Sequence, residues 1–200
     1  MSVETYIYDK RFFDNTLALE GPSARAAAWV LIRHFQPSSV IDIGCGNGVY
    51  LREFKNCGVK IAGYDGAPAA IEHSLVGKKI KLHDLCEPLK LTKTFDLCLC
   101  FEVAEHLSAS AADTLIQSLT RLADTIVFTA ATPGQGPRSI GHINEQPRGY
   151  WIEKFQDRGF RLRTKLTATI RQEMAARDVV WWIVKNLMVF QKGGVCRIKI

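Results

Sequence analysis

The sequence predicts an α/β protein in which helices flank one mostly parallel, seven-stranded sheet. Short apolar segments alternate with segments of helical spacing along all 200 residues, which is the pattern of consecutive βαβ units. No internal repeat, low-complexity tract or linker divides the chain, and its length suits one hydrophobic core. We therefore expect residues 1–200 to form a single domain.

The first half of the chain is expected to supply four of the strands and three helices. Ser23 is a suitable N-cap for an alanine-rich first helix, and Gly58 follows the end of the second. The third helix, APAAIEHSL, is short. The predicted strands are 39–44, 59–65, 79–84 and 95–101, and the predicted helices are 23–35, 49–56 and 67–75.

The second half is expected to continue the alternation with three strands and three helices. Ser110 and Asp113 have the spacing of a capping box, with Asp in place of the usual Glu or Gln. A helix starting at Pro147 is expected to end at Gly159. The predicted helices are 108–122, 147–158 and one ending near Arg177; the predicted strands are 125–131, one starting at Phe160 and 186–192.

Composition excludes several classes of protein. No apolar segment approaches the ~20 residues that a membrane span requires, and the N-terminus has no apolar signal core. The six cysteines are scattered without a CxxC pair. We therefore expect a reduced, cytoplasmic protein without structural zinc or a membrane span.

The net charge of +6 and the pI near 9.1 leave the partner open. Part of the excess lies in residues 158–177, which contain six basic residues and one acidic residue. This segment is interpreted either as a solvated face or as a site for an anionic acceptor, such as a nucleotide-sugar, a phosphorylated glycan or RNA.

A glycine-rich turn follows the first predicted strand. VIDIGCGNG places Gly44, Gly46 and Gly48 between a strand and a helix, where glycine permits positive φ angles and close approach of a ligand. A dinucleotide fingerprint requires G-x-G-x-x-G, whereas Val49 occupies the position of the third glycine. This spacing argues against a nicotinamide dehydrogenase.

The turn resembles the first motif of the Rossmann-like, class I methyltransferases that use S-adenosylmethionine (SAM). The resemblance implies that this turn holds the methionine part of SAM and that Asp65, nineteen residues after Gly46, binds the ribose hydroxyls. It also implies that Asp84 contacts the adenine amino group, with Leu85 and Phe101 on either side of the base. The expected cofactor-binding residues are Asp42, Gly44, Cys45, Gly46, Gly48, Asp65, Gly66, Asp84, Leu85 and Phe101.

A wider resemblance covers nearly the whole chain. YDKRFFDNT, PSARAAAWVL, ATPGQGPRSIGHINEQPRGYW and WWIVKNLMVF look like a group of bacterial and viral methyltransferase-domain proteins often associated with glycan or cell-surface biosynthesis. The resemblance implies a small-molecule or glycan acceptor. Residues 1–22 are expected to serve as a lid or as a packing strap. Residues 132–146, with glycines at 134, 136 and 141, are expected to form an active-site loop.

The segment FEVAEHL, after the fourth predicted strand, carries Glu102, Glu105 and His106 at helical spacing. In methyltransferases of this fold, the loop after strand four lies beside the transferred methyl group, and the loop after strand five would add His142. Two carboxylates and two imidazoles could bind Mg²⁺ or Mn²⁺. The pattern is similar to the E-x-x-E-H turn and later histidine of plant small-RNA 2′-O-methyltransferases, and ubiquinone-pathway O-methyltransferases also carry such a turn.

Two alternatives to the metal remain open for these residues. Glu102, His106 and His142 could act as acids or bases without metal, or the turn could be structural. The leading expectation is a SAM-dependent O-methyltransferase acting on a hydroxyl of a sugar or glycan intermediate. An RNA ribose 2′-O-methyltransferase and a catalytically inactive SAM-binding partner are the alternatives.

Overall fold

The structure is a computed structural model that describes residues 7–135 and 141–194, and within them it confirms the predicted α/β fold. All seven expected strands are present in one sheet. They are β1 (Ser39–Ile43), β2 (Lys60–Asp65), β3 (Ile80–Leu82), β4 (Leu97–Phe101), β5 (Thr125–Thr129), β6 (Phe160–Leu162) and β7 (Met188–Lys192).

The strand order is β3-β2-β1-β4-β5-β7-β6. Strands β1 to β5 pair in parallel, whereas β7 is antiparallel to both of its neighbours. The order reverses between β1 and β4, so the loops that follow these two strands lie at the edge where sheets of this kind bind ligands. The glycine turn follows β1 and the FEVAEHL segment completes β4.

Helices cover both faces of the sheet and enclose two apolar layers. One layer contains the buried Trp151, Phe155 and Phe128, and the other contains Leu31, Phe54 and further aliphatic side chains. None of the helices in the described part of the chain is long and apolar enough to cross a membrane. The helices are α1 (Lys10–Phe35), α2 (Val49–Asn56), α3 (Pro68–Glu72), α4 (Ala112–Leu122), α5 (Arg148–Gln156), α6 (Thr164–Ala175) and α7 (Trp181–Asn186).

Helix α1 starts thirteen residues before the position that the sequence predicted. Its N-cap is Asp9, whose carboxylate accepts a hydrogen bond from the Phe12 amide at 2.8 Å, and Pro22 lies inside the helix. The predicted N-cap role of Ser23 is therefore wrong. Ser23 is buried within α1, and its hydroxyl accepts a hydrogen bond from the Val180 amide at 3.0 Å. Proline removes one helical hydrogen bond, and packing of α1 on the domain compensates for that loss.

The predicted capping box of the fourth helix is also wrong. A 3₁₀ turn at Ala109–Ala111 precedes α4, and the N-cap Ala111 has no capping side chain. The hydroxyl of Ser110 instead hydrogen-bonds the hydroxyl of Ser108 at 2.9 Å. Helix α7 was not predicted, because the tryptophan pair at its start gave no helical periodicity.

Candidate active site

The glycine turn adopts a conformation that only glycine accommodates readily. Gly44, Gly46 and Gly48 have φ angles of +74°, +52° and +87°. A Cβ atom on Gly44 would lie 2.3 Å from Cγ2 of Val103, so that position also lacks room for a side chain. The Gly44 amide donates a hydrogen bond to the Tyr64 carbonyl at 2.8 Å and ties the turn to β2.

Asp65, at the end of β2, is held beside this turn. Its carboxylate accepts hydrogen bonds from the Gly46 amide at 2.7 Å and from the Ala67 amide at 2.9 Å. These contacts orient the carboxylate into an adjacent cavity that Gly66 and Asp84 also line. Asp65 and the glycine turn, which the sequence assigned to one cofactor site, are thus in direct contact through the hydrogen bond from the Gly46 amide.

Two adjoining cavities occupy this edge of the sheet, with volumes of about 450 and 740 Å³. Cavity 1 contains Asp65, Asp84 and Leu85, and cavity 2 contains Asp42 and Cys45. The residues that line both are Phe12, Phe13, Gly44, Gly46, Glu102 and His106. A ligand that extends across the glycine turn would therefore occupy both cavities.

Most of the residues predicted to bind SAM line one of these cavities. Gly48 lines neither, because it serves as the N-cap of α2. Leu85 lines cavity 1 whereas Phe101 lines cavity 2, with its ring 5.1 Å from that of Tyr50. The structure therefore does not bring Leu85 and Phe101 together as two walls around one base.

The cavities are acidic. Five carboxyl groups line them, and no lysine or arginine does so among the described residues. Burial, followed by the charges of Asp65 and Glu20, raises the pKa of Asp42 to about 7. These groups repel one another without a cation, so the site fits a positively charged ligand. The five residues are Glu20, Asp42, Asp65, Asp84 and Glu102.

This acidity predicts how stability changes with pH. The folded-state pKa of Asp42 lies above its unfolded value, so its contribution to stability is largest at low pH and is lost as the pH rises through about 7. We expect the ligand-free protein to lose up to a few kcal/mol between about pH 4 and 8. Chemical unfolding of wild type and Asp42→Asn at several pH values tests this. The variant should lose less stability over that range, and identical slopes would contradict the assignment.

Glu102 lies directly after β4 in a left-handed conformation, with φ of +51°. The Asn186 side-chain amide donates to both of its carboxylate oxygens at 3.0 and 3.2 Å. The Gln135 amide donates to Oε2 at 2.9 Å. These contacts fix the Glu102 carboxylate in the walls of both cavities, and the backbone strain at this residue is typical of functional sites.

Glu105, His106 and His142 form a compact cluster next to Glu102. One potential ligand atom from each of the three lies within 4.8 Å of the others. Glu105 is fully buried: Oε1 accepts from the Ala131 amide at 3.0 Å, and Oε2 has no hydrogen-bond partner among the described residues. Burial, followed by the nearby Glu102 charge, raises the pKa of Glu105 well above its usual range. Three of the four predicted metal ligands are thus gathered, while Glu102 is outside the group.

Hydrogen bonds at Nδ1 orient both imidazoles. Nδ1 of His142 lies 2.8 Å from Oε1 of Glu145; because a carboxylate accepts, Nδ1 of His142 donates and its Nε2 retains a lone pair. Nδ1 of His106 lies 3.2 Å from the Gly141 carbonyl oxygen and 2.9 Å from the Tyr8 hydroxyl, which can donate or accept. Burial and the neighbouring His142 lower the pKa of His106 to about 4, which keeps it neutral near pH 7. The ring centroids of the two histidines are 4.7 Å apart.

Several residues of the site were not predicted from the sequence. Tyr8 contacts Nδ1 of His106 through its hydroxyl at 2.9 Å, and Glu145 binds both His142 and the Gly134 amide. Of these residues, only Glu145 could have been found from the sequence, because it follows His142 by three residues. Glycine 136 of the predicted loop lies outside the described residues. The other residues missed were Glu20, Gln135 and Asn186.

The strand order, the glycine turn and the acidic cavities fit the fold of the class I methyltransferases. SAM carries a sulfonium and an ammonium group, which suit carboxylate-lined cavities on either side of a glycine turn. Residues 17–165 match the family model described as "Methyltransferase domain". The chain belongs to that family.

Two proteins similar to this chain are named as methyltransferases, and a third, DesVI, shares its fold. The mitochondrial ubiquinone biosynthesis O-methyltransferase of Schizosaccharomyces pombe is 33% identical over 82 residues, which cover 36% of this chain and 30% of that protein. Magnesium protoporphyrin IX methyltransferase from Synechocystis, solved with bound SAM, has a TM-score of 0.53 at 20% identity over 68% of this chain and 66% of its own. DesVI of Streptomyces venezuelae has a TM-score of 0.65 at 14% identity over 90% and 96%. At these identities the structural likeness shows the shared fold.

Proposed function

We propose that the chain is a cytoplasmic O-methyltransferase that methylates a hydroxyl group of a sugar or glycan intermediate. The observation that carries this proposal is the cluster of Glu105, His106 and His142 beside the acidic cavities. A hydroxyl group is a weak nucleophile near neutral pH, so its methylation requires a group that accepts its proton. The cluster brings two imidazole rings to the wall of cavity 2, and an imidazole can accept such a proton.

In this proposal His142 accepts the proton. Its Nδ1 is bound by Glu145, which orients the ring and favours the positive charge that it acquires. When SAM is bound it supplies an electrophilic methyl group on sulfur. The acceptor oxygen would form the new bond to the methyl carbon as the methyl–sulfur bond breaks and S-adenosylhomocysteine leaves, and the hydroxyl proton would pass to Nε2 of His142. Glu102, fixed by Gln135 and Asn186, is positioned to orient the acceptor through hydrogen bonds.

The same cluster fits a divalent cation, Mg²⁺ or Mn²⁺. Oε2 of Glu105 is buried without a partner, and the second nitrogen of each imidazole is already hydrogen-bonded, as in many histidine ligands of metals. Glu105, His106 and His142 would hold the ion. A bound cation would lower the pKa of the acceptor hydroxyl and orient it.

The lining of cavity 2 favours an uncharged, hydroxyl-rich acceptor over RNA. Trp181 is 55% exposed and lines this cavity with Trp182 and the polar Gln135, and such a mixture of flat apolar surface and hydrogen-bonding groups suits a sugar ring. None of the basic residues between 158 and 177 lines either cavity. The Schizosaccharomyces pombe relative is named as an O-methyltransferase, which supports oxygen as the methylated atom.

A labelling experiment tests the acceptor and the metal together. Methyl-labelled SAM is incubated with the protein and fractionated glycan, nucleotide-sugar and RNA pools, with and without EDTA. We expect label in carbohydrate. Label that EDTA abolishes and that Mg²⁺ or Mn²⁺ restores would show that His142 binds a cation instead of accepting the proton, whereas label that is independent of EDTA would support the metal-free role of His142 as proton acceptor. Label in RNA alone, or in no pool, would contradict the proposed acceptor.

A further inference from the structure

The corner of cavity 2 between α1 and β1 contains two carboxyl groups that the acceptor chemistry does not use. Glu20 comes from α1 and Asp42 from β1, and both line this cavity beside Gly44 and Gly46. Asp42 is 2% exposed, and no described residue donates a hydrogen bond to its carboxyl group. Asp42 is almost fully buried and Glu20 is half-buried, and a positively charged partner would stabilise the ionised forms of both carboxyl groups.

The protein itself does not supply that partner. Glu20 accepts a hydrogen bond from Nε1 of Trp182 at 3.4 Å, and no lysine or arginine among the described residues lines the cavity. Burial raises the pKa of Glu20, and the Glu20 charge contributes to the raised pKa of Asp42. An ammonium group would relieve this repulsion by donating charge-assisted hydrogen bonds to both carboxylates.

The position of this corner identifies which part of a ligand would reach it. Asp65 and Asp84 line cavity 1, and Glu20 and Asp42 line cavity 2, with Gly44 and Gly46 between them. A SAM molecule whose ribose lies at Asp65 would place its amino-acid end across the glycine turn. That end carries the only primary ammonium group of the cofactor.

We propose that Glu20 is a cofactor-binding residue that forms, together with Asp42, a subsite for the ammonium group at the methionine end of SAM. The proposal rests on the use of SAM and is independent of the acceptor. It assigns a direct role in cofactor binding to α1, because Glu20 precedes the internal proline of this helix by two residues. The glycine-turn motif gives no indication of such a residue.

Three nucleoside probes test the subsite without turnover. S-adenosylhomocysteine (SAH) carries the ammonium group, its deamino analogue lacks only that group, and 5′-methylthioadenosine lacks the whole amino-acid end. Affinities are measured by calorimetry for wild type, Glu20→Gln and the surface control Glu153→Gln, whose position on α5 is exposed. Glutamine keeps an oxygen that accepts from Trp182 and removes only the charge, so the fold should be retained.

We expect Glu20→Gln to weaken SAH binding about tenfold or more, as for loss of one charge-assisted hydrogen bond. Its affinities for the deamino analogue and for 5′-methylthioadenosine should stay within about twofold of wild type, and Glu153→Gln should match wild type for all three. Equal weakening for every probe would indicate a general structural effect and overturn the proposal. Unchanged SAH affinity would overturn it as well.

Discussion

Asp65→Ala is expected to weaken the binding of SAM and SAH by about 10- to 100-fold, because a carboxylate that accepts hydrogen bonds from a diol contributes more than a neutral acceptor. The Asp65 carboxylate lines cavity 1 and is already oriented by the Gly46 and Ala67 amides. Its orientation is therefore established before the ligand arrives, and little ordering is required on binding.

Calorimetry with SAH measures this loss directly. Asp65→Asn separates the charge from the geometry, since its amide oxygen can still accept from one of the two amides. We expect it to lie between Asp65→Ala and wild type. Asp157→Ala, at an exposed position after α5, is the matched control and should bind normally. An Asp65→Ala variant that binds SAH within about threefold of the control would refute the ribose assignment.

The parts of the fold with strong local signals were predicted well. Helix α2 occupies Val49–Asn56, the predicted residues 49–56, because a glycine turn and Gly58 delimit it on both sides. The apolar segments that end at Asp65 and before Glu102 formed strands β2 and β4. Both strands pair in parallel with β1, so their carboxyl ends and the glycine turn meet at the same edge of the sheet.

The errors occurred where tertiary contacts outweigh local preference. The Gly21–Pro22 pair reads as a helix breaker, yet α1 continues through it from Lys10 to Phe35. One consequence is that Glu20 and Phe13 become part of a helix that borders the cavities. A helix assumed to start at Ser23 leaves these residues in an undefined lid, so their roles were not visible in the sequence.

The sequence predicted part of the candidate site and missed other residues, such as Gln135 and Asn186. Spacing alone suggested that Glu102 shares a face with Glu105 and His106. The structure gives Glu102 a positive φ angle and pairs it with Asn186, 84 residues away. Such a long-range hydrogen bond has no local sequence pattern, because it depends on how β7 and α7 return to the centre of the sheet.

The second large effect is expected at His142. Replacing it with alanine should lower kcat for the carbohydrate acceptor by about 10²- to 10⁴-fold, the range for loss of a general base, while SAH affinity stays within about twofold. His142 lines cavity 2, and its ring lies against that of His106. Turnover with methyl-labelled SAM and calorimetry with SAH measure the two quantities separately.

Two further variants distinguish a chemical role of His142 from a structural one. His73→Ala changes a histidine at the end of α3 that lines neither cavity, and it should behave as wild type. Glu145→Gln keeps an oxygen that can accept from Nδ1 of His142 but removes the charge, so we expect an intermediate loss of about 10- to 100-fold in kcat. If His142→Ala retains activity within about fivefold of wild type, neither proton transfer nor metal binding by this residue contributes to the reaction. Because we place Glu145 as acting through His142, the double variant Glu145→Gln/His142→Ala should lose no more kcat than His142→Ala alone. Additive losses of kcat would instead show that Glu145 acts through its separate contact with the Gly134 amide.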